Sequence, residues 1–347
     1  MPTSPHALPS FRTLPRWCRL AVTLGVVLAL LVAATVSATA VRFARLAADI
    51  DTVELTREET AAPASTAAGR GVNVLVVGSD ARDDDPLMGD RADSMVLVHL
   101  SEDRSRIDAI QIPRDTVLDL PACAEDLDDV YSGYYGMING ALGAGAGCLV
   151  TAVESLSGVS LDHFLELRFE GFARIVDSLD GLPVDLPESL FDPKAELDLP
   201  AGEQVLDGDQ ALAWSRTRYS IGDGSDIARM GNQQTVMHTV VDRVRDRKLL
   251  THPRRAHAFL DAVTSSVRTD TDLARVGTMA RLGAGLARVP QENISIETMP
   301  WEPDVHDLNR VVPAAEAEEI FQALSADVPA LDRPAPPSGG WAPAADF

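Results

Sequence analysis

Lysine is almost missing from this chain: Lys194 and Lys248 are the only two, and arginine carries nearly all the positive charge. Positive charge is itself short, with 30 Lys and Arg against 52 Asp and Glu and a formal net of −22. That balance argues against a nucleic-acid partner, because gripping a phosphate backbone needs a basic face. Cysteine is scarce, three in 347 residues, with no Cys-x-x-Cys pair and no Cys/His spacing of the zinc type. Gly-x-Ser-x-Gly and His-Glu-x-x-His are both absent, so serine-hydrolase triads and zincins have no support. The glycine-rich stretch Asn139–Gly147, NGALGAGAG, lacks the Lys-Ser/Thr ending of a P-loop, and the segment before it is a poor strand. Its glycines read as a tight entry into a helix over Cys148–Leu156, with direct phosphate contact as the alternative.

Charge of either sign is missing from Leu20–Val41, 22 residues that would span about 33 Å as a helix. Arg12, Arg16 and Arg19 precede the run, Arg42 and Arg45 follow it, and no acid comes before Asp49. We expect a retained transmembrane helix over 20–41 in the cell membrane, with residues 1–19 cytoplasmic and everything beyond outside. The rival is a cleaved signal peptide, for which Ser37–Ala40 offers small residues. A signal core is only about 7–15 residues long, however, which favours the anchor. Residues 42–70 read as a stalk. Beyond residue 45 the chain holds 25 basic against 52 acidic residues, a net of −27. An anionic substrate would be repelled by that charge as a whole and must be held by a local arginine cluster. Cys18 falls on the cytoplasmic side, and Cys123 and Cys148 fall outside, where disulfides persist. A bridge between those two would pin a loop to the start of the next helix; two separate buried thiols are the alternative.

Apolar runs at Val72–Val77, Ser94–Leu100 and Arg106–Ile112 read as strands bounded by Gly, Asp, Ser and Pro. The polar turn Ser101–Ser105 makes the last two an antiparallel hairpin, so Arg114 and Asp115 come beside Arg91 and Asp93. If the first strand also runs antiparallel to the second, Asp80 and Arg82 reach the same sheet edge; the link Gly78–Asp90 shows no helical period, which disfavours the alternative, a right-handed parallel crossover. Clustered carboxylates suit a hard cation such as Mg²⁺, and arginines around them suit phosphate. A network of loop ion pairs is the plainer reading of the same residues.

A second charged group lies between Leu206 and Gln234. A helix over Asp207–Ser215 delivers Arg216 and Arg218 at its exit. Asp226 then caps a helix to about Arg245, on which Arg229 and Gln233 share a face. Its first turn also favours an anion; a surface ion-pair helix is the alternative. Further elements are expected at His163–Phe169 (strand), Phe172–Leu179 (helix), Val184 (strand), Arg255–Val267 and Leu273–Leu286 (helices), Ile294–Met299 (strand) and Ala314–Leu324 (helix). The alternation indicates an α/β layered domain. The Pro/Gly-rich residues 326–347 read as a disordered tail.

GSDAR at 78–82, DRADSMVLVHL at 90–100 and IQIPRDT at 110–116 resemble the LytR-CpsA-Psr family of cell-envelope phosphotransferases. The resemblance continues through INGA at 138–141, FEGF at 169–172, DGLPV at 180–184, LDG at 206–208, RTR at 216–218 and DIAR at 226–229 to Gln233-Gln234, over roughly residues 71–325. It implies an α/β fold, a mixed and partly antiparallel sheet covered by helices, in a single catalytic domain on the anchor. It also implies transfer of a glycopolymer from a polyprenyl-pyrophosphate-linked donor onto peptidoglycan or a related cell-wall polymer. Under that resemblance Asp80 and Asp93 are ligands of Mg²⁺ or another divalent cation. Arg82, Arg91, Arg114, Arg216, Arg218, Arg229 and Gln233 hold the pyrophosphate. Asp93 or Asp115 takes the proton of the attacking hydroxyl beside Arg91 and Arg114. The family pattern commonly has Arg-Gln-Gln where this chain has Asn232-Gln233-Gln234, so one arginine contact is in doubt. A pyrophosphate hydrolase and a non-catalytic binder of polyprenyl phosphates remain as alternatives.

Overall fold

A computed structural model of the chain describes residues 50–55, 71–80, 91–124, 130–131, 135–217, 226–246 and 252–330. All of them fall in the unit Asp49–Phe347. The expected span 20–41, Cys18, Arg82 and Arg218 lie outside the described residues. No helix among the described residues is long and apolar enough to cross a membrane.

Seven strands form the main sheet: Asp51–Val53 (β1), Val72–Ser79 (β2), Ala92–Leu100 (β3), Ile107–Ile112 (β4), His163–Arg168 (β5), Val267–Asp270 (β6) and Ile294–Thr298 (β7). Their order is β1-β6-β5-β2-β3-β4-β7. The centre, β2-β3-β4, is an antiparallel meander, with Val72 opposite Leu100 and Leu100 opposite Ile107. β5 joins β2 in parallel and β7 joins β4 in parallel, while β6 runs antiparallel to β5 and parallel to β1. The sheet is therefore mixed. The β3–β4 hairpin follows from the short polar turn at Ser101–Ser105, and the parallel pairs are made by chain that returns after helices.

The two faces follow from the period of two. Leu75, Val77, Met95, Leu97, Ile110, Ile112 and Phe164 meet helix Ala146–Ser157 (α1) and the later helix at 315–325 in one buried cluster. On the other face Leu100, Ile107 and Ile294 meet Val241, Leu282 and Leu286. Covered on both sides, the central strands bury all of β4 and most of β3, which is why apolar residues outnumber polar ones in both without strict alternation. Each fully buried Leu, Ile or Phe among them contributes roughly 1.5–3 kcal/mol. A third cluster lies among Phe169–Ser178 (α2), Gly208–Arg216 (α3), Asp226–Asp246 (α4) and the hairpin strands Leu182–Leu186 and Gly202–Leu206. Pro253–Thr264 (α5), Val276–Leu286 (α6) and Ala315–Ser325 (α7) complete the helices described.

Several expectations need correction. Residues 42–70 are not stalk throughout, because Asp51–Val53 pairs with β6 as the sheet's outer strand and Val53 and Leu55 pack against the core. Three residues are too few for a periodic signal. The helix placed over Arg255–Val267 ends at Thr264, and Val267–Asp270 is an inner strand carrying β-branched Val267 and Thr269. The helix placed over Leu273–Leu286 starts only at Val276. Residues 326–330 belong to the domain rather than to a tail, since Asp327 accepts from the Glu102 amide at 3.0 Å and from Arg106 at 2.9 Å and pairs with His99 at 3.0 Å. Cys123 and Cys148 are joined in a disulfide, with Cα atoms 5.5 Å apart, which pins the segment after β4 to α1.

Candidate functional site

Strand direction brings the charged residues to one end of the sheet. β2 ends at Ser79, β3 starts at Ala92, and the Asp80 amide donates to the Arg91 carbonyl at 3.4 Å. β4 ends one residue before Pro113, so Arg114 and Asp115 follow at the same edge. There Arg114 donates to an oxygen of Asp93 in a close ion pair, both side chains less than one-fifth exposed. Asp115 accepts from Arg310 at 3.3 Å. Arg91 is exposed.

The helices supply the remaining cations. α3 opens with a reciprocal cap: the Asp207 carboxylate accepts from the Gln210 amide at 2.9 Å, and the Asp207 amide donates to the Gln210 side chain at 3.0 Å. Its first residue is Gly208, where a Cβ would stand 2.2 Å from the Ala173 carbonyl oxygen; only glycine lets α3 lie this close to α2. That contact carries the last residue of α3, Arg216, over the ring of Phe169 at the start of α2, 4.4 Å from its centroid. Arg216 also donates to Asp80 at 3.0 Å. Both partners are more than a third exposed, so the pair holds position at a cost of roughly 0–1 kcal/mol to separate. Arg229 on α4 is different. It is 5% exposed and donates to the Asp93 carbonyl at 3.4 Å, a guanidinium already stripped of most of its water.

Gln233, one turn after Arg229, accepts from the Gln111 side-chain amide on β4 at 2.7 Å, and Gln234 donates to Thr298 on β7 at 2.7 Å. The two glutamines thus tether α4 to two neighbouring strands. Asn232 is 2% exposed and donates to the Thr217 carbonyl at 3.3 Å. Thr217 in turn donates to the buried Asp192 at 2.5 Å. At this position the chain has a helix-to-helix tie just past α3 in place of an arginine.

Of the residues expected at the site, Asp80, Arg91, Asp93, Arg114, Asp115, Arg216, Arg229 and Gln233 come together; Arg82 and Arg218 lie outside the described residues. Sequence reasoning missed three participants. Phe169 lies within the FEGF motif, where it had no role, and Gln111 is one of two polar residues, with Asp108, in the run 107–112. Arg310 lies far along the chain on a hairpin of Trp301–Pro303 and Val311–Pro313, brought in by bridging of Thr116 to Val311.

The carboxylates that could hold a metal here are Asp80 and Asp93, at the ends of adjacent paired strands. No group of three or more His, Cys, Asp or Glu is gathered as a cage among the described residues. Two hard oxygen donors fit a magnesium-type ion, which takes one or two carboxylates and completes its shell with water and substrate phosphates.

The chain is 31% identical over 237 residues to the cell wall biosynthesis protein LcpA of Corynebacterium glutamicum, covering 59% of this chain and 46% of that protein. It is 28% identical over 215 residues to the polyisoprenyl-teichoic acid–peptidoglycan teichoic acid transferase TagU of Oceanobacillus iheyensis, covering 62% and 63%. The chain thus spans less than two thirds of either relative's length. Among solved structures, a LytR-Csp2A-Psr enzyme from Actinomyces oris superposes with a TM-score of 0.63 at 23% identity, over 80% of this chain and 96% of that one. TagT bound to LI-WTA gives 0.56 at 20% identity, over 80% and 99%. These two likenesses speak for the fold: a central mixed sheet between helices. Because the model of the LytR_cpsA_psr family also matches residues 38–326, most of the chain, this protein belongs to that family.

Proposed function

We propose that this protein is a metal-dependent phosphotransferase that moves a glycopolymer from a polyprenyl-pyrophosphate carrier onto a cell-wall acceptor such as peptidoglycan. The observation that carries the reading is the sheet end itself, where Asp80, Asp93 and Asp115 alternate with Arg114, Arg216 and Arg229 inside a strongly acidic chain. The names of LcpA and TagU supply the cell-wall context.

The reaction is a displacement at phosphorus. An acceptor hydroxyl oxygen bonds to the glycan-linked phosphorus, the bond from that phosphorus to the bridging oxygen breaks, and polyprenyl monophosphate leaves. Positioning and charge neutralisation do most of the work in such a reaction. Arg229 and Arg114 are preset donors for phosphate oxygens. Arg216 trades the Asp80 carboxylate for a phosphate of the same charge, at little cost because the pair is exposed. Gln233 adds an amide donor, and Arg82, Arg91 and Arg218 extend the grip. Asp93 or Asp115 takes the hydroxyl proton. Asp80 and Asp93 would hold Mg²⁺ or another divalent cation, whose chemistry when bound is to neutralise charge on the pyrophosphate oxygens.

The test uses the full-length protein, a labelled lipid-linked glycan and a peptidoglycan acceptor, with and without chelator. Transfer should require metal, and Asp80→Ala and Asp93→Ala should each abolish it while leaving part of the lipid-pyrophosphate binding. Normal transfer by the double variant would sink the metal assignment. Release of polymer only into water would favour a hydrolase, and binding without turnover a non-catalytic binder.

We also place the domain outside the cytoplasm on an anchor at 20–41. The charge-free run and the Cys123–Cys148 bridge, a bond of oxidising compartments, support this. A reporter fused after Phe347 should be active only outside the cytoplasm, with the chain in the membrane fraction. A soluble chain beginning near Val41 would replace the anchor with a signal peptide.

A further inference from the structure

Gln111 is out of place where it stands. It is 1% exposed, near the end of a strand whose other five residues are Ile, Asp, Ala, Ile and Ile, and its side chain leaves the sheet on the face covered by α4. Its Nε2 donates to Oε1 of Gln233 at 2.7 Å, while its own Oε1 is buried without a hydrogen-bond partner. A buried polar atom left this way costs about 1–3 kcal/mol, so the amide is a poor choice if packing were its purpose.

Docking of the helix is not its purpose either. Gln234 already fastens α4 to β7 through Thr298, and Val241 on the same helix packs into the cluster of Leu100, Ile107 and Ile294. What the Gln111 bond adds is orientation. An amide can be turned by half a revolution, presenting either a carbonyl oxygen or an NH2 group. With Oε1 of Gln233 taken by Gln111, its Nε2 keeps two N–H donors that no described residue accepts, one helical turn from Arg229 and its contact with Asp93. Turning both amides over would keep one bond between them. It would also bury the NH2 of Gln111 without an acceptor, and orphaned buried N–H groups are rarer than orphaned carbonyls.

We propose that Gln111 is a positioning residue that locks the Gln233 side-chain amide with its NH2 group facing the substrate phosphate. The lock rests on the pyrophosphate reading of the site. Without it Gln233 would present its carbonyl oxygen half the time, an acceptor set against an anion.

The experiment is a double-mutant cycle on the full-length protein in detergent, with geranylgeranyl pyrophosphate and Mg²⁺ as the probe and calorimetry as the readout. Gln111→Met keeps the volume and removes the donor. It should weaken binding about three- to tenfold, the range of one hydrogen bond to a charged group partly lost. In a Gln233→Ala background the same change should shift the affinity less than about twofold, because there is no amide left to orient. An equal loss in both backgrounds would make Gln111 a general packing residue and overturn the proposal. So would a Gln111→Met protein that binds like wild type. Melting temperature reports whether the variant folds; if it does not, Gln111→Asn, too short to reach Gln233, gives the same cycle. Failure of the wild type to bind the probe would instead bring down the pyrophosphate reading, and the lock with it.

Discussion

At the scale of single residues the site depends on arginine in a way that lysine would not match. Arg216 stacks on Phe169 and reaches Asp80 with one guanidinium, a plane and a fork used together. Arg216→Ala should weaken lipid-pyrophosphate binding about tenfold or more, as loss of a charge-assisted contact to phosphate does. Arg216→Lys should recover only part of that, since an ammonium cannot make paired contacts. Full recovery by lysine, read in a binding titration, would reduce Arg216 to a diffuse charge. Phe169 itself was within reach of the sequence only as part of a motif. Nothing in the spacing of Phe169 and Arg216, 47 positions apart, says that they touch, because the contact depends on Gly208 letting α3 sit down on α2.

Between elements, two ionic ties hold the sheet where its strands meet chain from far away. His163 on β5 lies 3.3 Å from Asp270 at the end of β6. Burial disfavours charge on His163, and the hydrogen bond and charge of Asp270 override it, so its pKa is raised. Burial likewise pushes Asp270 up, and the same bond with the Leu273 and Phe164 amides leaves it lowered. Asp327 is also lowered: burial opposes, and the bonds from His99 and the Glu102 amide prevail. The signs differ. The carboxylates stabilise the fold above their ordinary value of 3.8, and that contribution is lost as pH falls through their lower folded values. His163 contributes below 6.5 and loses its contribution as pH rises through the raised value. Melting temperature should therefore be highest between about pH 4 and 6.5 as far as these ties govern it, with a drop on the acid side. Asp327→Asn should lower the plateau and flatten the acid limb; a curve merely displaced in parallel would refute the assignment. None of this was readable beforehand. A histidine at the start of a strand and an aspartate in a supposed tail carry no periodic signal, and their value lies in partners more than 100 residues away.

For the whole molecule, what was legible was the local part. The three central strands, their antiparallel pairing and the convergence of Asp80, Asp93 and Arg114 follow from apolar runs, one short turn and a link at 78–90 without a helical period, all within residues 72–115. The outer strand β1 and its inner neighbour β6 were not legible, since each is short and takes its place only by pairing with chain distant in sequence. The same division has a consequence for how the molecule assembles. The meander can close with little loss of chain freedom, for its partners are near neighbours along the chain. Val74 must wait for His163, Ile107 for Ile294 and Asp51 for Arg268, each pairing closing a far longer loop. Asp80 and Asp93 therefore belong to the segment that is topologically cheapest to form, and Arg216 and Arg229 to segments that arrive over longer loops. Along that path Asp93 can meet Arg114 within the meander itself, whereas Asp80 waits for Arg216, so the charge at this strand end comes to balance in two stages.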